Sequence, residues 1–162
     1  MLGGLLSAHY LSTVLHGVSS QRDYIYLSKA VDLADRLLGA YESKSGIPYA
    51  SVNIGTRQGL PSHADGGASS TAEATNVQLE MKDLAHLTGK EVFWRKAEQV
   101  MKVIDDQQRQ DGLLPIFIHP DTERFRHQES VLAVAEILIT VYPAWQITFT
   151  RDRSSSNSRV LD

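Results

Sequence analysis

Between residues 2 and 15 the apolar side chains Leu2, Leu5, Leu6, Leu11 and Leu15 recur with His9 and Tyr10 at helical spacing. Gly17-Val18-Ser19-Ser20 interrupts them. A second helix is predicted from Asp23, whose carboxylate suits a helix start, through Leu27, Ala30, Val31, Ala34, Leu37 and Leu38. Lys29, Asp32, Asp35 and Arg36 fall off its apolar stripe. Gly46 ends the helical region, and Ile47-Pro48-Tyr49 opens an extended piece through Val52 and Ile54. The stretch 56–67, with three Gly and one Pro, reads as a loop.

Ser70-Thr71-Ala72-Glu73 has the spacing of a capping box, in which hydroxyl and carboxylate satisfy each other's free N–H groups. The helix it opens carries Val77, Leu79, Leu84 and Leu87 and stops at Gly89. Another is predicted from Glu91 through Phe93, Trp94, Ala97, Val100, Met101 and Ile104, with Phe93 and Trp94 on its core stripe. Gly112 begins a second extended piece, Leu113 to His119, closed by the turn Pro120-Asp121-Thr122. A repeat emerges. Tyr26-Leu27-Ser28-Lys29-Ala30 returns 67 residues later as Phe93-Trp94-Arg95-Lys96-Ala97, and Gly46-Ile47-Pro48 returns as Gly112-Leu113-Leu114-Pro115. Helical pairs at this period build an α-solenoid or a closed α/α barrel. Two such units cannot bury both of their open faces, so the pattern fits a part of something larger.

Composition narrows the partners. A net charge of -3 with no Lys/Arg run argues against nucleic acid or an anionic membrane surface. The absence of cysteine excludes thiolate metal ligands and a cysteine nucleophile from this chain. The longest apolar stretch, Val131 to Trp145, is shorter than the ~20 residues of a bilayer span and carries Glu136, so no membrane segment is expected. No basic leader precedes the apolar start Leu2–Leu6, and no targeting signal is read here.

Two carboxylates draw attention. Glu73, in the first turn of its helix after a Gly/Ser loop, is either a capping carboxylate or one delivered to a ligand at a barrel mouth. Glu80, seven residues on, is either solvated or pore-lining. The six histidines, His9, His16, His63, His86, His119 and His127, form no metal-binding pair and read as surface or satisfied core residues. Residue chemistry alone identifies no active site, because no nucleophile elbow, phosphate loop, EF-hand loop or zinc helix is present.

Six strings occur in one order: LGGLLSA (Leu2–Ala8), KAVDLADRLL (Lys29–Leu38), SGIPYASVNIGT (Ser45–Thr56), SSTAEATNVQLE (Ser69–Glu80), LTG (Leu87–Gly89) and DGLLPIFIHPDT (Asp111–Thr122). Together they resemble the class I α-1,2-mannosidases, glycoside hydrolase family 47. The resemblance implies an all-α fold, part of an (α/α)7 barrel of helical hairpins with short β-hairpin excursions, covering about a third of the family's catalytic domain. It implies inverting, calcium-dependent hydrolysis of terminal α-1,2-linked mannose from high-mannose N-glycans. It also implies a place in the secretory pathway (endoplasmic reticulum or Golgi) or outside the cell.

An inverting glycosidase needs an acid and a base with carboxyls roughly 6.5–9.5 Å apart. In the family the glutamate acid and a nearby arginine precede the LGG string. The proposed base carboxylates and the calcium-ligating threonine follow the matched region. The resemblance therefore assigns this chain no catalytic residue and no Ca2+ ligand, and Glu73 alone matches a substrate-binding position. The isolated chain is expected to be inactive. Rival readings are a non-catalytic mannosidase-like lectin of glycoprotein quality control and an α-helical repeat scaffold.

Two departures stand out. Thr13 to Arg22 (TVLHGVSSQR) is longer than the family's turn and reads as an insertion. Residues 1–128 follow the family, whereas 129–162 do not, and Arg151–Asp162 is polar enough to be disordered. Where IRLGSRGDSYYEYL is expected, the chain has ESVLAVAEILIT (Glu129–Thr140). Written in synonymous codons and read from each third base, that segment spells IRLGSRGDSYY over eleven positions, which points to a change of frame shortly before Glu129. The coding DNA checks this directly: the alternative frame is expected to read GSRGDSYY, and any other reading removes the explanation.

Overall fold

The computed structural model describes residues 1–15, 24–106 and 114–130. The helix start at Asp23, residues 16–22 of the insertion, the start of the second extended piece at Gly112 and the tail from 131 onward lie outside the described residues. Five helices are described: α1 (Leu2–Val14), α2 (Tyr24–Leu37), α3 (Thr71–Asn76), α4 (Gln78–Thr88) and α5 (Glu91–Asp105). A 3-10 turn, Leu38–Tyr41, extends α2. The strands are β1 (Ser51–Asn53), β2 (Gln58–Leu60), β3 (Ser69–Ser70), β4 (Pro115–Ile118) and β5 (Phe125–Ser130).

Helices α1 and α2 pack as one hairpin and α4 and α5 as a second, with α1 and α2 both touching α4. The predicted two-unit pattern is thus the observed one. Helix α5 is strongly two-sided: Phe93, Ala97, Val100 and Ile104 are buried, while Glu91, Arg95 and Lys102 face out. Alanines at 30 and 34 give α2 a flat inner face that comes close to its neighbours. Helix α1 carries few polar side chains, and Leu11 and Val14 in its last turn and Leu15 just after it are exposed. Helix α4 ends at Gly89, whose φ of 70° is left-handed and whose N–H donates to Ala85 O at 2.8 Å.

One predicted helix divides. The stretch from Thr71 to Thr88 is α3 and α4, broken at Val77 (ψ 5°). Thr75 Oγ1 donates back to Thr71 O and Ala72 O at 3.1 Å, a local bond that competes with helix continuation.

The predicted loop 56–67 contains β2, which pairs antiparallel with β1. Asn53 shapes the turn between them: its Oδ1 accepts from the N–H groups of Gly55 and Thr56 at 3.0 Å. Arg57 then takes φ 60°, a left-handed position occupied here by a non-glycine. The second excursion is a three-stranded sheet, β3-β4-β5, antiparallel throughout with a bulge between Pro115 and Phe117. Strand β5 crosses position 128, and its backbone pairing continues to Ser130 opposite Pro115.

Buried Lys82 joins the two helices of the second hairpin. Its Nζ donates to Glu98 Oε1 at 2.5 Å and lies 4.7 Å from the Trp94 ring centre. Trp94 is therefore half-buried beneath a cation, while Phe93 is fully in the core. Among the described residues no helix is long and apolar enough to cross a membrane.

The first hairpin excursion rests on Gly39, because a side chain there would overlap the Arg57 carbonyl. Gly39→Ala is expected to lower stability by about 1–3 kcal/mol, the usual cost of overpacking. Thermal unfolding of the variant against the parent chain checks this.

Candidate functional site

Ser70 caps α3, and its Oγ accepts from Glu73 N at 3.4 Å. Only this half of the predicted capping box forms. The Glu73 carboxylate makes no hydrogen bond among the described residues and is exposed. It borders a cavity of about 300 Å³, the low end of the range for small-ligand pockets.

The facing wall of that cavity comes from the 3-10 turn and the chain leading into β1, with Tyr41, Tyr49 and Val52 among its side chains. Side-chain hydrogen bonds fix this wall. Ser69 Oγ donates to Pro48 O at 2.7 Å, joining the wall to the strand before α3. Tyr49 Oη donates to Asp121 Oδ1 at 3.0 Å, and Ser45 Oγ donates to Pro120 O at 2.5 Å. Lys96 Nζ, on α5, donates to Tyr41 O at 3.2 Å. Burial, with the nearby charge of Glu80 second, pushes the Tyr41 phenol up to about 12.

Glu80 lies elsewhere. It lines a second, more open concavity between α1 and α4, with Leu6, Tyr10, Leu11 and Leu79. A side chain at Gly3 would come within 2.8 Å of Glu80 Oε1, so glycine there is what admits the carboxylate. Glu80 Oε2 is buried without a hydrogen-bond partner. The solvated reading of Glu80 is therefore corrected: it is half-buried and faces a concave surface. Period alone could not show this, because what buries Glu80 is a glycine on another helix.

Asp83 lines the same concavity. Burial raises its pKa, while the charges of His86 and His9 pull it back. His9 Nδ1 is buried and unbonded, whereas His119 Nδ1 accepts from Asp121 N–H at 3.2 Å. His63 and His86 are exposed. Among the described residues, no three His, Asp or Glu side chains gather as a metal site.

The family model for glycosyl hydrolase family 47 matches residues 1–146 of the chain. The chain belongs to that family. Its match extends past residue 128, where the family-like region was expected to end. The chain is 52% identical over 126 residues to a mannosyl-oligosaccharide 1,2-alpha-mannosidase of Candida albicans, covering 78% of this chain and 21% of that protein. It is 49% identical over 130 residues to an endoplasmic reticulum mannosyl-oligosaccharide 1,2-alpha-mannosidase of Saccharomyces cerevisiae, covering 77% and 23%. In three dimensions it resembles the alpha-1,2-mannosidase from Trichoderma reesei with a TM-score of 0.67 and 25% identity, over 77% of this chain and 27% of that one. The family 47 chain described here is therefore part of an α/α barrel, and it spans about a fifth to a quarter of the curated relatives it matches.

Two measurements probe this local chemistry. Ser70→Ala is expected to cost about 0.5–2 kcal/mol through loss of the cap, read by chemical denaturation. Asp83 is held above its ordinary value, so the folded state binds more protons than the unfolded one above pH 3.8. Its contribution to stability is present at lower pH and is lost as pH rises through the raised pKa. Asp83→Asn is expected to be more stable than the parent at neutral pH and to lose that advantage in acid.

Proposed function

We propose that this chain is the part of an α-1,2-mannosidase that binds sugar rather than moves protons. Glu73 accepts hydrogen bonds from mannose hydroxyls at the cavity it borders. The observation that carries this reading is the free Glu73 carboxylate: its helix is capped by Ser70 alone, so both oxygens remain available to a ligand. An ionised carboxylate only accepts, and a sugar hydroxyl donates, so the pairing is charge-assisted.

The relatives' names support the substrate class, a high-mannose N-glycan with terminal α-1,2-linked mannose, and a setting in the secretory pathway. The two proton-transfer carboxylates of inverting hydrolysis belong, on this reading, to parts of the enzyme outside the matched strings. The same holds for the residues that would ligate calcium. Adding calcium is therefore expected to leave the melting temperature of this chain unchanged.

The deciding experiment is calorimetric titration of the 162-residue chain with a high-mannose N-glycan, beside an assay for released mannose. Binding without release is expected, and Glu73→Gln is expected to weaken binding about tenfold, the weight of one charge-assisted hydrogen bond. Turnover by the parent chain would overturn the division of labour. Unchanged affinity in the variant would remove Glu73 from the site.

A further inference from the structure

A third concavity, of about 430 Å³, lies at the β1–β2 hairpin and is lined by Glu42, Tyr49, Thr56, Arg57 and Gln58 among others. Tyr49 lines this concavity and also the one that Glu73 borders, so the two meet at that residue. Tyr49 is fixed at both ends: its N–H donates to Ala40 O at 2.8 Å and its hydroxyl to Asp121 Oδ1 at 3.0 Å. Its ring lies against Gly59, where a side chain would overlap it.

Arg57 stands out in this lining, because the turn that carries it recurs in the second excursion. Asn53 Oδ1 accepts from Gly55 N–H, and Arg57 N–H donates to Asn53 O at 2.7 Å. At the same spacing, His119 Nδ1 accepts from Asp121 N–H, and Glu123 N–H donates to His119 O at 3.0 Å. Arg57 and Glu123 both take φ 60°. That left-handed conformation suits glycine and costs other residues stability. Glycine would close either turn at less cost, yet each holds a long charged side chain there. The turn accounts for the backbone of Arg57 and leaves its guanidinium unexplained. Arg57 is exposed, and its guanidinium enters no hydrogen bond or ion pair among the described residues.

The groove offers the guanidinium fork of Arg57, the Gln58 amide and the Thr56 hydroxyl beside the Tyr49 side chain. Its carboxylate, Glu42, is already paired with Lys96 at 3.0 Å and disfavours an anion as ligand. Donors and acceptors set around an aromatic residue suit a neutral, polyhydroxylated ligand, since each sugar hydroxyl both gives and receives a hydrogen bond.

We infer that this groove is a second glycan subsite, in which Arg57 donates to the hydroxyls of a sugar ring other than the one at Glu73, with Tyr49 between the two. It rests on the reading of Glu73 as a mannose contact and adds a preference for size. An oligosaccharide long enough to cross Tyr49 gains both contacts, and a short one gains only the contact at Glu73.

The test titrates the 162-residue chain calorimetrically with α-1,2-mannobiose and with a high-mannose N-glycan. Arg57→Gly removes the guanidinium and gives the turn the residue its φ favours, so the variant is expected to keep the parent's melting temperature. It is expected to bind the N-glycan about three- to tenfold more weakly and mannobiose as the parent does. Glu73→Gln is expected to weaken both.

Unchanged N-glycan affinity in Arg57→Gly would overturn the subsite and leave the Glu73 reading standing. Equal weakening of both sugars would also overturn it, because Arg57 would then act only by shaping the cavity at Glu73. Loss in Arg57→Gly with none in Glu73→Gln would remove Glu73 and keep the groove as the sugar site. Absence of binding of both sugars by the parent chain would overturn both readings.

Discussion

The two β excursions are held together by hydroxyl side chains that donate to carbonyls beside and within proline-containing segments. Ser45 bonds Pro120, Ser69 bonds Pro48 and Thr71 bonds Pro115, with separations of 75, 21 and 44 residues. A proline offers a carbonyl but no N–H, so its segment makes fewer ladder bonds than a regular strand, and here its carbonyls take donors from other elements. Here those donors are serine and threonine hydroxyls at the ends of other elements. Tyr49 adds a fourth tie, to Asp121. These bonds set the spacing between α3, which carries Glu73, and the wall that carries Tyr41. The cavity is a consequence of how the loops are satisfied.

The helices answer to a different constraint. Helix α5 has one apolar face, and that face is covered by α4, α3 and the 3-10 turn. Helix α1 has few polar side chains to turn to solvent, and Leu11, Val14 and Leu15 stay uncovered, as do Tyr24 and Ile25 on α2. Full burial of a single leucine is worth about 1.5–3 kcal/mol, so an apolar end of this size leaves a substantial stabilisation unrealised. A helix with exposed apolar side chains at its end finds cover inside a larger assembly. The α/α barrel of the family supplies that setting, since each hairpin there has a neighbour on both sides.

How much of this could be read from residues alone depended on which residues speak locally. The four long helices and Gly89 as a stop were legible, because apolar period and a left-handed glycine are local signals. The hairpin β1–β2 was only half legible. Its first strand follows the Ile47-Pro48 opening, but its turn places Arg57, not glycine, at a positive φ, so the usual hairpin signature is missing. Strand β5 gave no warning either, being polar at Arg126, His127, Gln128 and Glu129. For the site, Glu73 stood out through its neighbours in sequence. The facing wall did not, since Tyr41 and Tyr49 are held there by contacts between segments distant in sequence, and no pattern of spacing reports that.

The three buried side-chain atoms without partners sharpen the point. Among the described residues they are His9 Nδ1 on α1 and Gln78 Oε1 and Glu80 Oε2 on α4. Elsewhere the core is satisfied to the point of pairing even Lys82. Orphaned polar atoms scattered at random would suggest loose packing. These three instead sit on the one pair of helices, α1 and α4, that lines the more open concavity. Conflict between local satisfaction and global fold concentrates where a surface has work other than folding. The stability left unrealised at α1 and at α4 therefore shares one cause: these surfaces are shaped for partners that folding of this chain does not itself supply.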